Sequence, residues 1–359
     1  MAMPADADTP SEYAAFLDVA SQAPARLRAS RPELSDIDEA DAEMFLAGLI
    51  DGAMQFVAAD PARPAFVPWV TPNRRWMDNG FDSLYWMAPV DGRHRYRITG
   101  RRGDECYLSL TLYAGDPGHP ETVVLNRNHV DLAVAHGEPF AVDLDPPGDA
   151  CYVITRQYFN HPGAEVGGTF VIEVLDGPVP GAPDPAATKA RWRAATSFLL
   201  AMTGPAQAGA RPPAYVSTTP NVMGDPSAWD QSGGGGRGTP DQTYALGPYQ
   251  LDKGEALVMD VKFPPCAYAS AALWNRFSQT VDRRFHRSTI NQTEVVVGAS
   301  GVARLVVADR DPGVPNWLDT GGHRRGSVFW RFLLAAHPPP PIACQVVRIE
   351  DVPGTPAPA

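Results

Sequence analysis

The sequence predicts a mainly β protein whose sheets are antiparallel and form sandwich or barrel domains. Proline (37 residues) and glycine (32 residues) make up nearly a fifth of the chain, which favours many short strands separated by turns over long helices. A length of 359 residues suits two domains with sizeable cores, and 44% apolar residues is typical of a globular chain. Several segments also alternate apolar and polar residues with the period of a strand.

Helical periodicity is confined to two places. Residues 10–60 repeat apolar side chains near the helical spacing, with Ser35 or Asp36 as the candidate cap, and we predict a helical segment over residues 1–62. A second helix, of about 17 residues, is predicted after the proline-rich stretch that begins at Gly177, because Gly204 and Pro205 end its pattern. We interpret it as a helix that connects two β domains.

The connecting region, residues 181–240, also contains the run SGGGGRG at 232–238. Four consecutive glycines suit a flexible linker, and they suit a flap over a site equally well. The run matches GxGxxG by letter, but no strand precedes it and no helical pattern follows. It therefore does not indicate a nucleotide-binding loop.

The first β domain is predicted over residues 63–180. Residues 64–93 are rich in aromatic residues, proline and asparagine, and we interpret them as an irregular lead-in. Within the segment 105–113, leucines 108, 110 and 112 share one face, and Tyr107 and Tyr113 lie on the other with Ser109 and Thr111. The predicted strands are 94–100, 105–113, 121–125, 139–144, 150–156 and 168–175.

The second β domain is predicted over residues 241–359. Its segment 267–274 places Tyr268, Ser270, Ala272 and Trp274 on one face and alanines on the other, so a bulky group must pack against the alanines. The order Cys-Tyr-x-Ser at 106–109 is echoed by Cys-x-Tyr-x-Ser at 266–270, which fits a tandem duplication and fits chance equally well. The predicted strands are 255–261, 267–274, 294–298, 302–308, 327–334 and 344–350.

Charge and cysteine spacing limit the classes of partner. The net charge of −11 argues against nucleic acid, because a phosphate backbone requires clustered, uncompensated cations. The one basic cluster, Arg283 to Arg287, is expected to bind a small anion or to pair with internal carboxylates. The four cysteines form no CxxC pair, and buried free thiols are expected.

We expect no membrane span and a cytoplasmic location, because no apolar run is long enough for a membrane helix and the N-terminus lacks a secretion signal. A homo-oligomer is compatible with the sequence.

Motifs for common chemistries are missing from the sequence. It has no GxSxG, HExxH or phosphate-loop motif, and its eight histidines never fall in HxH or HxxxH spacing. We therefore expect no cofactor and no metal bound by neighbouring residues. The alternative is a cupin-like metal site whose ligands come from distant strands.

Polar side chains are densest after Trp274. Asp282, Arg284, His286 and Asn291 converge if this segment lies over a barrel mouth, where a carboxylate can orient the histidine for proton transfer. The alternative is that Asp282 pairs with an arginine and His286 faces solvent.

Two further clusters contain candidate residues. In the loop 308–326, Asp319 and His323 are candidate acid–base partners, and Asn316 and Trp317 lie beside them in the sequence. The alternatives are that Trp317 plugs the end of a sandwich and that Asp319 caps a turn. Near residues 78–97, Tyr85 and Trp86 stand close to Asp78, Asn79 and Asp91, a composition that suits a small-molecule pocket or a domain interface.

The C-terminal third resembles a bacterial domain-of-unknown-function family, number 1214 in its series. The resemblance covers the last 110 residues or so, with a weaker match at Asp91-Gly92 and Tyr96-Arg97-Ile98-x-Gly100. It implies jelly-roll-like domains and no established reaction. The matching positions are Trp274, Asn275, Asp282, Arg284, Ser288, Asn291, Asp311, Pro312, Gly313, Asn316, Trp317 and Leu318.

The leading functional hypothesis is an enzyme or binding protein for a small, largely apolar molecule such as a lipid, steroid, terpenoid or aromatic metabolite. Its chemistry would be a cofactor-free lyase, isomerase or hydrolase step, with His286 or His323 moving the proton and Asp282 or Asp319 orienting it. Arg284 and Asn291 would stabilise negative charge. Trp274, Asn316, Trp317, Tyr85 and Trp86 would bind substrate. The alternative is a non-catalytic carbohydrate-binding or envelope-associated β-sandwich.

Overall fold

A computed structural model describes residues 11–78, 80–115, 121–148, 151–177, 181, 184–205, 212–229 and 238–353. The protein is mainly β, as predicted. The run SGGGGRG at 232–238 falls outside the described residues except for Gly238, and Asn79 falls outside them entirely. The helices are α1 (Glu12–Ser30), α2 (Asp36–Ala58) and α3 (Pro185–Thr203).

The three helices pack together as a small bundle. Ser35 caps α2 in a capping box with Asp38, so the predicted cap is confirmed at the first of its two candidate positions. Pro185 opens α3 and Gly204 ends it, as the flanking residues predict. Although α3 does join the two β units along the chain, it packs against both α1 and α2. Trp192 of α3, for example, lies on Tyr13 and Phe16 of α1.

The first β unit is a sandwich of two antiparallel sheets. One sheet has the strand order β1-β2-β7-β4-β5 and the other the order β6-β3-β8. Leu108, Leu110 and Leu112 point into the core between these sheets, as the alternation predicts. The strands are β1 (Val67–Pro68), β2 (Ser83–Val90), β3 (Tyr96–Arg101), β4 (Tyr107–Ala114), β5 (Thr122–Asn128), β6 (Pro139–Leu144), β7 (Cys151–Tyr158) and β8 (Thr169–Val174).

The second β unit is also a sandwich. Its sheets have the orders β13-β12-β16-β10-β9 and β15-β14-β11-β17. Trp330 is the bulky neighbour of the alanine face, since it pairs with Ala271 and lies in the same core. The strands are β9 (Ser227–Ala228), β10 (Gln242–Gln250), β11 (Glu255–Val261), β12 (Tyr268–Trp274), β13 (Thr289–Asn291), β14 (Ala303–Ala308), β15 (Trp317–Asp319), β16 (Arg325–Leu333) and β17 (Ala343–Arg348).

The two β units have the same connectivity. The order β2-β7-β4 in one large sheet matches β10-β16-β12 in the other, and β6-β3-β8 matches β14-β11-β17. The residues of the sequence echo occupy matching places, because Tyr107 and Ser109 lie on β4 while Tyr268 and Ser270 lie on β12. This correspondence supports the tandem duplication over a chance match.

One strand prediction is wrong, and two long strands form where none is predicted. Residues 294–298 contain a single bridge, at Val297, and no strand, because the short β13 at 289–291 already pairs with β12. The lead-in at 64–93 contains a full strand, β2, which is buried on most of its length and so lacks alternation. β10 was also missed, because Gly247 and Pro248 interrupt its pattern.

Candidate functional site

The two large sheets face each other, and tyrosines and arginines fill the space between them. In the first unit, Arg156 of β7 lies directly opposite Tyr85 of β2 and Ser109 of β4. In the second unit, Arg331 of β16 lies opposite Tyr244 and Ser270 in the same way. Directly opposite residues point to the same face of a sheet, so each unit presents a Tyr-Arg-Ser row to the other. We call this region the tyrosine–arginine interface.

Arg331 joins the two units. Its guanidinium donates hydrogen bonds to the hydroxyls of Tyr85 (2.7 Å) and Tyr158 and to the carbonyl of Met77 (3.2 Å). It also lies 4.9 Å from the ring centre of Phe329. Among the described residues no carboxylate forms an ion pair with Arg331, so tyrosine hydroxyls and ring faces stabilise this buried cation.

Two buried aspartates border the same interface. Burial raises the pKa of Asp78 to about 6, even though Thr280 and the Gly80 amide donate hydrogen bonds to it. Asp82 accepts hydrogen bonds from Tyr268 (3.0 Å) and Asn291 (3.1 Å) and pairs with Arg283. Both aspartates come from the segment just before β2, whereas the side chains that bind their carboxylates come from the second unit.

A pocket of about 470 Å³ opens where the two units meet. Its lining is mostly apolar, with one cation and one carboxylate. We call it the seam pocket. It is lined by Phe81, Leu84, Phe159, Pro162, Gly163, Glu165 and Gly167 of the first unit and by Arg283 of the second.

Arg283 holds the two walls of the seam pocket together. Its guanidinium pairs with Asp82, lies 3.6 Å from the Glu294 carboxylate, and covers the ring of Phe81 at 5.6 Å. Gly80 permits this approach, because it adopts a φ of +66° and a Cβ there would lie 3.1 Å from the Arg283 side chain.

His286 pairs with Asp319. The Nδ1 atom of the imidazole lies 2.8 Å from a carboxylate oxygen of Asp319, whose other oxygen accepts the amide of Gly321. About a third of the His286 side chain is exposed. Asp282 instead binds Arg284 (2.5 Å) and Arg75 (3.2 Å). Of the two candidate partners, Asp319 is therefore the one whose carboxylate contacts the imidazole, whereas the backbone carbonyl of Asp282 accepts the His286 amide (3.0 Å).

His323 pairs with a residue outside its own cluster. Its Nε2 atom lies 2.6 Å from Asp41 of α2, and its Nδ1 atom lies 2.7 Å from the carbonyl of Thr320. Asn275 donates to the same Asp41 oxygen at 2.7 Å. Burial lowers the pKa of His323, but the Asp41 and Thr320 contacts outweigh burial and raise it. This buried pair ties the helical bundle to the second β unit.

Three further candidate residues lie in the tyrosine–arginine interface. Tyr85 contacts Tyr158 and Arg331, and Trp274 stacks on Phe329 with ring centres 4.3 Å apart. Asn291 donates to Asp82 and to the carbonyl of Asn160 (3.1 Å each). Hydrogen bonds of Tyr85 and Asn291 cross between the units, and so does that of the Trp274 indole nitrogen, which donates to the carbonyl of Asp78 (3.1 Å).

The other predicted binding residues lie apart from the interface. Trp86 contacts Phe170 of the first sandwich, and the guanidinium of Arg284 pairs with Asp282 and lies over the ring of Phe285. The amide of Asn316 binds the backbone of Val296 and Arg304, and the indole nitrogen of Trp317 donates to Ala308 (3.2 Å). The structure therefore distributes the predicted site residues over several places.

The residues that sequence reasoning missed lie on strands of both β units and on α2. Arg156 follows the run Cys-Tyr-Val-Ile-Thr and Arg331 follows Val-Phe-Trp, and a cation inside such a largely apolar run signals a buried cation with a dedicated partner. Asp41 is one of several acidic residues in α2, and nothing in the sequence distinguishes it from those that face solvent. Only the fold brings it to His323.

Among the residues that the structure describes, no group of three or more histidine, cysteine, aspartate or glutamate side chains could hold a metal ion. Within the same residues, no helix has the length and apolarity that crossing a bilayer requires.

The fold defines a two-unit antiparallel β-sandwich protein with an appended helical bundle. It is similar to the crystal structure of an uncharacterised protein from Burkholderia cenocepacia, with 25% identity and a TM-score of 0.82 over 94% of this chain and 97% of that one. A protein from Vibrio parahaemolyticus matches at 13% identity and a TM-score of 0.47, over 93% of this chain and 100% of that one. No family model and no curated protein sequence matches the chain. The resemblance to family 1214 stays a prediction.

Proposed function

We propose that this protein binds a small, largely apolar molecule in the seam pocket. The observation that carries the proposal is the exposure of Phe81 (54%) and Leu84 (43%) side by side in a concave lining. Exposed large apolar side chains that share a concavity mark a ligand or partner site more often than single exposed ones do. The pocket's volume also falls in the range of small-molecule sites, which is roughly 300 to 1,000 Å³.

The charged residues of the pocket favour a ligand with one polar end. Arg283 and Glu165 lie among four apolar side chains, so most of the lining suits hydrocarbon and a small part suits a hydroxyl, carbonyl or carboxylate. Such an arrangement of few polar groups in an apolar pocket fixes the orientation of a ligand. Lipid, steroid, terpenoid and aromatic metabolites share this chemistry.

The binding experiment compares the wild type with Phe81→Ala, using an environment-sensitive naphthalene dye and then a panel of fatty acids, sterols and aromatic acids. Removing the Phe81 ring takes away about 1.5 kcal/mol of apolar burial, so we expect affinity to fall roughly tenfold. Phe285→Ala is the matched control, because Phe285 is 76% exposed and does not line the pocket. Equal binding by both variants would rule out the seam pocket.

A glycan array tests the alternative. Binding to glycans by the wild type, together with no binding of any apolar probe, would favour a carbohydrate-binding protein. Phe81 would then be a sugar-stacking side chain, and Phe81→Ala should abolish the glycan signal.

The contact between His286 and Asp319 favours a second candidate function, acid–base catalysis. A carboxylate that binds one ring nitrogen orients the histidine, and the other ring nitrogen can then exchange a proton with a ligand. Ligands found in the binding panel should be incubated with the wild type and with His286→Gln, and products should be followed by mass spectrometry. We expect His286→Gln to abolish turnover, while His337→Gln, an exposed histidine with no carboxylate partner among the described residues, leaves it unchanged. Absence of turnover in the wild type would reject catalysis and leave the binding role intact.

A further inference from the structure

A second pocket lies between the helical bundle and the second β unit, and arginines dominate its charge. Its volume is about 260 Å³. Arg31 comes from the end of α1, Arg276 from the turn after β12, and Arg325 from the start of β16. Three arginines in one pocket are unexpected for a chain whose net charge is −11. We call it the arginine pocket.

Two of these cations are neutralised by carboxylates. The Arg325 guanidinium lies 3.0 Å from the Glu33 carboxylate, and that of Arg276 lies 4.0 Å from Asp38. The nearby Asp41 is bound by His323. The acidic groups next to the pocket therefore have partners already.

Arg31 has no such partner. It donates to the carbonyl of Arg276 (3.3 Å) and to the Ser30 hydroxyl (2.9 Å), and among the described residues no carboxylate pairs with it. Burial and the neighbouring Arg276 lower the pKa of Arg31, which means that the surroundings disfavour its charge. An anion beside Arg31 would remove this penalty.

The rest of the lining offers neutral polar groups. Ser278, Ser327 and Asn275 lie around the arginines, and Tyr249 lines the pocket although it is only 1% exposed. The Tyr249 hydroxyl is buried, and none of the described residues forms a hydrogen bond with it. Gly326 leaves room for it, because a Cβ there would lie 2.6 Å from that oxygen.

We propose that the arginine pocket binds the carboxylate or phosphate group of a small organic anion, held by Arg31 with Arg276 and Arg325 at its sides. A guanidinium presents paired donors that match the spacing of carboxylate and phosphate oxygens. The volume suits a molecule of a few carbon atoms. This site is separate from the seam pocket and does not depend on the function proposed for it.

Isothermal titration calorimetry at low ionic strength, with inorganic phosphate, glycerol 3-phosphate and succinate as probes, tests the proposal. We expect at least one probe to bind the wild type at millimolar concentration or below and to bind more weakly as sodium chloride is raised. Preference for succinate over both phosphates would identify a carboxylate ligand, and the reverse order a phosphate ligand. Failure of all three probes to bind the wild type would overturn the proposal.

Arg31→Gln should weaken binding about tenfold or more, the change expected when a charge-assisted hydrogen bond is lost. Arg28→Gln is the matched control, because Arg28 lies on the same helix, pairs with Glu39 and is outside the pocket. Should Arg31→Gln fail to fold, Arg325→Gln serves as the second variant, since Arg325 is partly exposed at the rim. Unchanged affinity in the folded variants would contradict the assignment, and so would an equal loss in Arg28→Gln.

Discussion

Arg156 and Arg331 occupy the same position in the two β units, each opposite a tyrosine and a serine in the centre of its own large sheet. Because the two sheets face each other, both arginines are buried in one interface. Arg156 donates to Thr111 (2.9 Å) and Tyr113 (2.6 Å) of its own unit, whereas Arg331 donates to tyrosines of the opposite unit. Equivalent positions in the two units thus have two different roles.

Replacing Arg331 by lysine tests whether its planar guanidinium is required. Lysine keeps the charge but cannot reach Tyr85, Tyr158 and Met77 together, so we expect the free energy of unfolding to fall by about 2 kcal/mol. Urea denaturation measures the change. Arg324→Lys is the control, because Arg324 and its partner Asp252 are both largely exposed, and there we expect a change within about 0.5 kcal/mol. Equal effects would show that Arg331 contributes only a charge.

The buried Asp78 makes stability fall as pH rises. Its pKa is about 6 in the folded protein against an ordinary value of 3.8, so the folded state holds the proton more tightly than the unfolded state does. The protonated Asp78 therefore makes its full contribution to the free energy of unfolding below about pH 4, and this contribution is lost as pH rises through about 6. We expect Asp78→Asn to remove a pH dependence of the order of 3 kcal/mol between those limits, measured by urea denaturation. An unchanged pH profile in this variant would place the dependence elsewhere.

The His323–Asp41 pair makes the free energy of unfolding depend on pH in two separate ranges. The pKa of His323 is raised, so its contribution is present below the ordinary histidine value and is lost as pH rises through the folded value. The pKa of Asp41 is lowered, because hydrogen bonds from His323 and Asn275 outweigh burial, and its contribution is lost in acid. We expect His323→Gln to cost about 2 kcal/mol near pH 6 and less near pH 9. Thermal unfolding at both pH values measures this difference.

A uniform loss in His323→Gln at both pH values would show that the ring contributes packing alone. His94→Gln is the comparison variant, because the His94 ring is only partly buried and its one hydrogen bond among the described residues is to the carbonyl of Asp176. It should leave the profile unchanged.

The contact between α2 and Trp76 requires a glycine. A Cβ on Gly52 would lie 3.0 Å from Cζ3 of Trp76 and closer still to Cη2, and this ring is enclosed by Phe198, Phe45 and Trp69. Alanine favours a helix by about 1 kcal/mol over glycine, but we expect the collision to outweigh this gain and Gly52→Ala to destabilise by about 1 to 2 kcal/mol. Gly148→Ala should be nearly neutral, because no atom lies within 4 Å of the added carbon. Urea denaturation distinguishes the two, and a stabilised Gly52→Ala would show that Trp76 moves.

Local patterns determined much of the fold. Alternation along 105–113 and 267–274 located β4 and β12, because successive side chains of a strand point to opposite faces of the sheet. The leucine or alanine face therefore meets one environment and the other face meets a different one. Capping and proline signals located α2 and α3, since unsatisfied backbone groups at helix ends restrict the residues found there. The sequence echo at Cys106 and Cys266 pointed to a duplication that the matching strand orders support.

Only the tertiary structure decided which polar side chains meet. Asp41 and His323 are 282 residues apart, Arg331 and Tyr85 are 246 apart, and Asp82 and Arg283 are 201 apart. No local period encodes such pairs, because they depend on how two sheets and a helical bundle pack against one another. His286 and Asp319 were proposed as candidates from the sequence, but the choice of Asp319 over Asp282 rested on the folding of two loops. The residue types were therefore readable from the sequence, while their partners, and the pockets between the units, were set by long-range packing.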